Sequence, residues 1–351
     1  MKNKPLKTKA KSLINVPTSL FIDTQYYCSQ GLKFTTAEID TLKKHFKPKS
    51  LRLVLPAVTR RELEKKFGER ADTAVQTIHS AGQEYPINLL VDWPYAAKDK
   101  SELRAKLLAV MEQEWEQFQK HFKVVQLTDN GNLERVIDWY FEKKPPFGEG
   151  KKAKEFPDAI MVSALDKYCA KHKADKLAVI SCDGGFKDAS ASRPQFEYFE
   201  SLSAYLEKSI AEQAIIQRIH KLLEERAAEF RSVIEHHFEK LEFTVGQGWE
   251  GCVSDIQDTS VEIHEQSVID LEETKFTVAV VGFISFKAYV EYAEYSSAAR
   301  QFDRHPEHYD AWNRVRFRTT VEIKTDSEFT ELKDCSITYF SPESVFVDYG
   351  Q

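Results

Sequence analysis

The chain contains no stretch near the ~18 continuous apolar residues a membrane-spanning helix needs, which excludes an integral membrane protein of the helical kind. It has no pair of cysteines at CxxC spacing. Its five cysteines (Cys28, Cys169, Cys182, Cys252 and Cys335) are odd in number and scattered, which argues against a zinc ribbon or a disulfide framework and for a reducing, cytoplasmic setting. Nor is there an excess of positive charge: the formal net charge is −6. No global basic field draws the chain to nucleic acid, so any polyanion contact must come from local Lys/Arg patches. No internal repeat is visible. The lysine-rich opening MKNKPLKTKAKS starts like a secretory signal, but the following INVPTSLFIDT is too short and too broken for an apolar core. Residues 1–16 therefore read as a basic flexible tail, either simply solvated or touching nucleic acid.

What is present is ample apolar material. With 42% hydrophobic and 12% aromatic residues over 351 positions, the chain can bury a large core and is long enough for roughly two domains. The first 200 residues alternate short apolar runs with helical patterns. Strands are expected at 18–23, 50–56, 123–128 and 176–183, with a short one at 196–199. Helices are expected from Thr36, over 57–67, in LERVIDWYFEK and after Asp158. Strands separated by helices predict βαβ units and a parallel sheet covered on both faces. Residues 68–122 break the rhythm and read as a helical insertion. Residues 203–243 carry apolar positions at helical spacing and read as one long connecting helix. From residue 244 to 351 the pattern alternates as strands do, which predicts an antiparallel, β-rich α+β domain. Its aromatics (Trp249, Phe283, Phe286, Tyr289, Tyr292, Tyr295, Trp312, Phe317) read first as core and second as a base-stacking surface.

Four acids stand out in the first region. Asp23 ends the first apolar strand and Asp183 ends the fourth; Glu62 lies in the helix after the second, and Asp158 opens the helix before the fourth. In an open parallel sheet ligands bind outside the carboxyl ends of the strands. If the first and fourth strands are neighbours, Asp23 and Asp183 meet, and a helix start carrying Asp158 can reach them. Such a group repels itself and calls for a hard divalent cation, Mg²⁺ or Mn²⁺, of the kind that serves phosphodiester chemistry. Each acid also has a plainer reading. Asp158 after Pro157 could cap its helix, Asp183 before Gly184 and Gly185 could shape a turn, and Glu62 could be a solvated helix acid. Asp23 is the hardest to explain this way, since a buried carboxylate without a partner is costly.

The blocks FIDT (21–24), PAVTRREL (56–63), EFPDAI (155–160) and ISCDGGF (180–186) resemble the signature blocks of the PIN-domain nucleases. KPPFGEGKKAKEFPDA resembles the larger prokaryotic branch, whose members carry C-terminal extensions. The resemblance covers roughly residues 17–202 and implies a Rossmann-like α/β/α sandwich. It implies a metal-dependent endonuclease, most often acting on RNA and leaving 5′-phosphate and 3′-hydroxyl ends, with metal ligands at Asp23, Glu62, Asp158 and Asp183. Glu64 is an alternative to Glu62. Ser181 falls where the family has a hydroxyl that orients an acid, and Asp188 is either a further ligand or a loop acid. Lys151, Lys152 and Lys154, together with Arg60 and Arg61, read either as ordinary surface charge or as a phosphate-positioning set. Toxin, phage-defence and RNA-processing roles all remain open, as does a homo-oligomer or protein partner bound through the C-terminal domain. A haloacid-dehalogenase-type phosphotransferase is disfavoured because Gln25 stands where that class needs a second Asp. The remaining rival is an inert PIN-like binding module.

Overall fold

The computed structural model of the chain describes residues 16–82, 99–148, 155–172, 176–245, 251–296 and 301–347, with the backbone alone at 251, 292–296 and 301–311. The chain divides into two compact units, Asn15–Tyr205 and Leu206–Gln351, the latter grouped with Met1–Ile14.

In the first unit, β1 (Ser19–Ile22), β2 (Arg52–Pro56), β3 (Lys123–Leu127), β4 (Leu177–Ile180) and β5 (Phe196–Phe199) form one parallel sheet of order β3-β2-β1-β4-β5. β1 and β4 are buried along their whole length. This is expected of parallel strands covered by helices on both faces, and it explains the unbroken apolar runs SLFI and LAVI. The chain order reverses between β1 and β4, so their carboxyl ends form the topological switch point. Around the sheet lie α1 (Thr24–Ser29), α2 (Ala37–His45), α3 (Ala57–Ala81), α4 (Lys100–Lys120), α5 (Leu133–Phe141), α6 (Phe156–Lys171) and α7 (Gly184–Ala191). Thr36 caps α2 by accepting from the Ile39 amide, as its TTAEI sequence leads one to expect.

The region around 68–122 is less separate than the sequence suggested. The helix expected over 57–67 continues without a break to Ala81, because Thr59, Leu63, Phe67, Ala71 and Val75 keep one buried stripe going at four-residue spacing. α4 then contributes Trp115 and Phe118 to a shared aromatic core with Tyr27, Phe34 and Phe67. The described parts of this segment therefore belong to the first unit's packing.

The single helix expected over 203–243 is three helices: α8 (Leu202–Ser209), α9 (Gln213–Glu225) and α10 (Ala227–Phe238). The break at Arg226, with φ −109° and ψ 23°, leaves the helical region for one residue. The apolar stripe survives the break, which is why periodicity alone did not register it.

In the second unit, β7 (Gly251–Glu272), β8 (Lys275–Ser296), β9 (Gln301–Thr325) and β10 (Leu332–Ser341) form an antiparallel sheet of order β10-β9-β8-β7. β6 (Glu242–Val245) and β11 (Ser344–Val347) make a small parallel pair. One face of the large sheet packs on α9 and α10 through Phe230, Ile234, Phe238, Ile284, Phe286 and Phe317. Close contacts across this layer include the rings of Phe238 and Phe286, 5.1 Å apart. The aromatics of this unit thus divide. Phe286 and Phe317 are core, whereas Phe283 and Tyr289 are only half-buried and Trp312 is exposed. Trp249 and the side chains of Tyr292 and Tyr295 lie outside the described residues.

Candidate metal centre

The site grows from the switch point. The Asp23 amide donates to the Ile180 carbonyl at 3.0 Å, which locks the end of β1 to the end of β4. Asp23 occupies the N-cap position of α1 but makes no side-chain cap bond. Its carboxylate instead accepts from the Ser181 hydroxyl at 2.8 Å, and that same hydroxyl accepts from the Asp183 amide at 3.0 Å. One buried serine thus ties the two acids at the ends of β1 and β4. Tyr198 holds the Ser181 carbonyl at 2.6 Å from the neighbouring strand.

Asp183 serves two ends at once. It is the N-cap of α7, accepting from the Gly185 amide, so the turn reading of DGG is satisfied locally. It also turns an oxygen toward Glu155 and Asp158, and carboxylate oxygens of these three residues all lie within 4.8 Å of one another. A methyl group at Gly185 would come within 2.8 Å of an Asp183 oxygen and 3.3 Å of a Glu155 oxygen. The second glycine of DGG is therefore the space in which these acids approach.

Asp158 is not a helix cap. Glu155 holds the N-cap position of α6, again without a side-chain cap bond, and Asp158 stands in the first turn behind Pro157. Of the two acids in RRELEKK, Glu62 accepts from the Thr24 hydroxyl at 2.7 Å, beside Asp23. Glu64 is exposed and faces Arg60 at 3.7 Å. Glu155 is the residue that sequence reading missed: in the charged run KKAKEFPD, nothing distinguishes it from a solvated acid. Asp188 lies on the exposed side of α7, apart from this group. Arg60 and Arg61 are exposed at the start of α3, where they line a cleft of about 140 Å³ with Gln126 and Thr128 at the carboxyl ends of β2 and β3. Lys151, Lys152 and Lys154 lie outside the described residues.

The acids feel each other. Burial pushes the Asp23 carboxyl up to about 6; the Ser181 hydrogen bond opposes this, while the charges of Glu62 and Asp183 add to it. Asp158 rises to about 7, first from burial and then from Asp23, Asp183, Glu155 and Glu62, all acting in the same direction. Carboxylates that raise one another's affinity for protons also favour any other positive charge placed among them. The donors are all oxygen, with no histidine or cysteine, which suits a hard divalent ion. The residues present therefore fit a Mg²⁺ or Mn²⁺ ion.

A covered parallel sheet with an all-carboxylate cluster at its switch point defines an α/β protein with a candidate divalent-metal site. Residues 20–186 match the family model described as PIN domain, which supports a PIN-type domain in the first unit. No curated protein and no solved structure matches the chain. PIN domains are generally nucleases and typically use divalent metal ions. Among the described residues, no helix is long and apolar enough to cross a membrane.

Proposed function

We propose that the chain is a metal-dependent endonuclease that hydrolyses phosphodiester bonds, with RNA as its substrate. The observation that carries this reading is the convergence of Glu155, Asp158 and Asp183 within 4.8 Å, with Asp23 and Glu62 electrostatically coupled to them. Asp158, Asp183 and Glu155 would hold the Mg²⁺ or Mn²⁺ ion, with Asp23 and Glu62 completing the shell directly or through water. Bound there, such an ion offsets the charge that builds on a phosphate and lowers the pKa of a coordinated water.

The chain's own contributions are orientation and charge. Ser181 fixes the Asp23 carboxylate and the backbone of Asp183 relative to each other, and Thr24 fixes Glu62. Near neutral pH the ion-free site retains protons chiefly on Asp158 and to a small extent on Asp23; a cation displaces them, so binding of the ion and release of protons are linked. Arg60 and Arg61, at the carboxyl edge of the same sheet, would take phosphates flanking the scissile one, and Lys151, Lys152 and Lys154 would extend that set. In the overall reaction a water oxygen bonds to phosphorus as the P–O3′ bond breaks. This leaves a 5′-phosphate and a 3′-hydroxyl.

The test pairs calorimetric titration of Mn²⁺ with cleavage of an end-labelled single-stranded RNA, for wild type beside Asp183→Asn. The expected outcome is Mn²⁺-dependent internal cleavage by the wild type, lowered by at least about 10²-fold in the variant. If the wild type binds Mn²⁺ and cuts neither RNA nor DNA, the first unit is an inert binding module and this reading fails.

A further inference from the structure

The outward face of the C-terminal sheet is built differently from the usual solvated side of a β-layer. Along β8, Ile284, Phe286, Ala288 and Val290 point into the core, and Phe283, Lys287 and Tyr289 point the other way. Directly opposite on β9 stand Arg318 beside Val281, Arg316 beside Phe283, Arg314 beside Ser285 and Trp312 beside Lys287. Antiparallel partners share a face, so three arginines at every second position form a row with a cation about every 6.8 Å. This is close to the spacing of successive phosphates in an extended single strand. At the end of the row Trp312 is 65% exposed. The Arg314 guanidinium lies 4.4 Å from the centre of the Phe283 ring, and the Lys287 ammonium 5.2 Å from that of Tyr289. These contacts hold cations against ring faces on the surface.

Beside the arginine row, the acids of this face are Glu262 and Glu265 on β7 at the sheet's edge; Asp310, opposite Tyr289, and Glu322, opposite Thr277 and paired with Lys275 at 3.0 Å, stand past its two ends. Between Trp312 and Arg318 the strip over β8 and β9 is therefore basic and aromatic, although the chain as a whole carries −6. Glu262 does reach Arg314 at 2.6 Å, but both side chains are more than half exposed. Such a pair is worth little and exchanges readily for a phosphate. A protein-docking surface concentrates apolar groups at its centre and is depleted of charge there; here the centre of the strip is the arginine row.

We propose that this sheet face binds single-stranded nucleic acid, with phosphates along Arg314, Arg316 and Arg318 and bases stacked on Trp312 and the neighbouring rings. Rows of cations with interleaved aromatics on an open sheet are how sequence-tolerant single-strand binding is generally achieved. The proposal extends the nuclease reading by naming a second substrate contact, and it rests on that reading only for the identity of the substrate.

The experiment uses the full chain carrying Asp158→Asn, in EDTA, so that binding is measured without cleavage. The probe is a fluorescein-labelled oligouridine of about 20 nucleotides, longer than a single binding site of this kind. An oligothymidine of equal length and a duplex are the comparison arms. Replacing Arg314, Arg316 and Arg318 together by Gln should lower the log–log salt slope of binding by about 2, since each phosphate contact to a single strand contributes about 0.7. The triple Arg→Lys variant should keep that slope. Trp312→Ala should weaken binding about tenfold or more, and the duplex should bind more weakly than either single strand. Photocrosslinking of a 4-thiouridine probe to the chain without surface substitutions, mapped by mass spectrometry, should mark the peptide containing 312–318, which keeps the test independent of how the variants fold. An unchanged slope with crosslinks elsewhere would overturn the proposal and leave the row to a protein partner; equal binding of the duplex would also overturn it. Failure of wild type to cleave with Mn²⁺ would sink the nuclease reading and leave this binding result standing.

Discussion

Two aspartates on α6, eight residues and about 12 Å apart along its axis, have opposite surroundings. Asp166 is buried and meets a full set of donors. Arg193 Nε and Gln195 Nε2 each donate to it at 2.9 Å, and Arg135 approaches to 3.5 Å. Arg193 in turn donates to the Ala189 carbonyl and lies over Trp139. Asp158, at the start of the helix, faces four other carboxylates, and its pKa is pushed up to about 7. The same residue type on one helix is in one place a fastener between α6 and the segment after α7, and in the other a charge held against its neighbours. A protein does not gather unlike acids in this way for stability, because each one raises the cost of ionising the rest. The arrangement makes sense as a cation site.

The strongest way to break that comparison is to remove each aspartate and measure folding. Asp166→Ala should cost about 3–5 kcal/mol, because it strands the buried Arg193 guanidinium without its counter-charge. Asp158→Asn should cost nothing in metal-free buffer, or stabilise slightly, since it relieves repulsion. Urea titrations of both variants in EDTA give the two numbers. Equal losses would mean that Asp158 is a structural residue like Asp166, and the acid cluster would have to be reread.

The difference between the two aspartates was only partly legible in the sequence. Asp23 was legible because three apolar residues, Leu20, Phe21 and Ile22, end on an acid, and burial of that run leaves the carboxylate nowhere else to go. The pairing of β1 with β4, which brings Asp23 to Ser181 and Asp183, follows from the switch-point logic of parallel sheets. Glu155 was not legible, since its neighbours KKAK make a solvated acid the natural reading; only the placement of Asp183 beside it sets it apart. Asp166 was hidden for the opposite reason: its partners Arg193 and Gln195 come from beyond β4, and no local pattern links them. In the second unit, FTVAVVGFISFKAYVEYAEY is apolar on both faces, so alternation alone could not separate Phe286, which is core, from Phe283, which is not. Helical periodicity over 203–243 records the buried stripe and is blind to the single residue, Arg226, at which the axis breaks.

A second test sharpens the comparison through pH. In the ion-free protein Asp23 and Asp158 have pKa values pushed up to about 6 and about 7 from the ordinary 3.8 of an aspartate. The folded state therefore binds more protons than the unfolded one between these limits. Their contribution to stability is present at low pH and is lost as pH rises through 6 to 7. Wild type should be more stable at pH 5 than at pH 8 by on the order of 4 kcal/mol from these groups. His220, whose pKa is raised by its hydrogen bond to Glu207, acts in the same direction. The informative quantity is thus the difference from Asp158→Asn, in which the slope should flatten but not vanish. Saturating Mn²⁺ should remove the loss at high pH, because the cation takes the place of the protons. Identical pH profiles for wild type and Asp158→Asn would show that the acids are not coupled.

The smallest expected effect concerns Ser181, the neutral donor at the acid end of the comparison. Its hydroxyl is buried, donates a hydrogen bond to Asp23 and accepts one from the Asp183 amide. This hydrogen bond is the largest influence holding the Asp23 pKa down. Ser181→Ala removes both bonds without opening much space, so folding stability should fall by only about 1 kcal/mol. The functional consequence is more specific. Without the hydroxyl, Asp23 should titrate at a higher pH than in the wild type, so at neutral pH more of the protein carries a proton where the cation must go. Mn²⁺ affinity at pH 7 should fall about tenfold, as for other residues that orient a metal ligand without touching the metal. Raising the pH to 8.5 should restore most of it. Ser181→Thr, which keeps the hydroxyl, should retain affinity at both pH values provided the added methyl is accommodated. A loss in Ser181→Ala that does not recover with pH would mean that the serine holds the backbone of Asp183 in place and has little to do with the charge on Asp23.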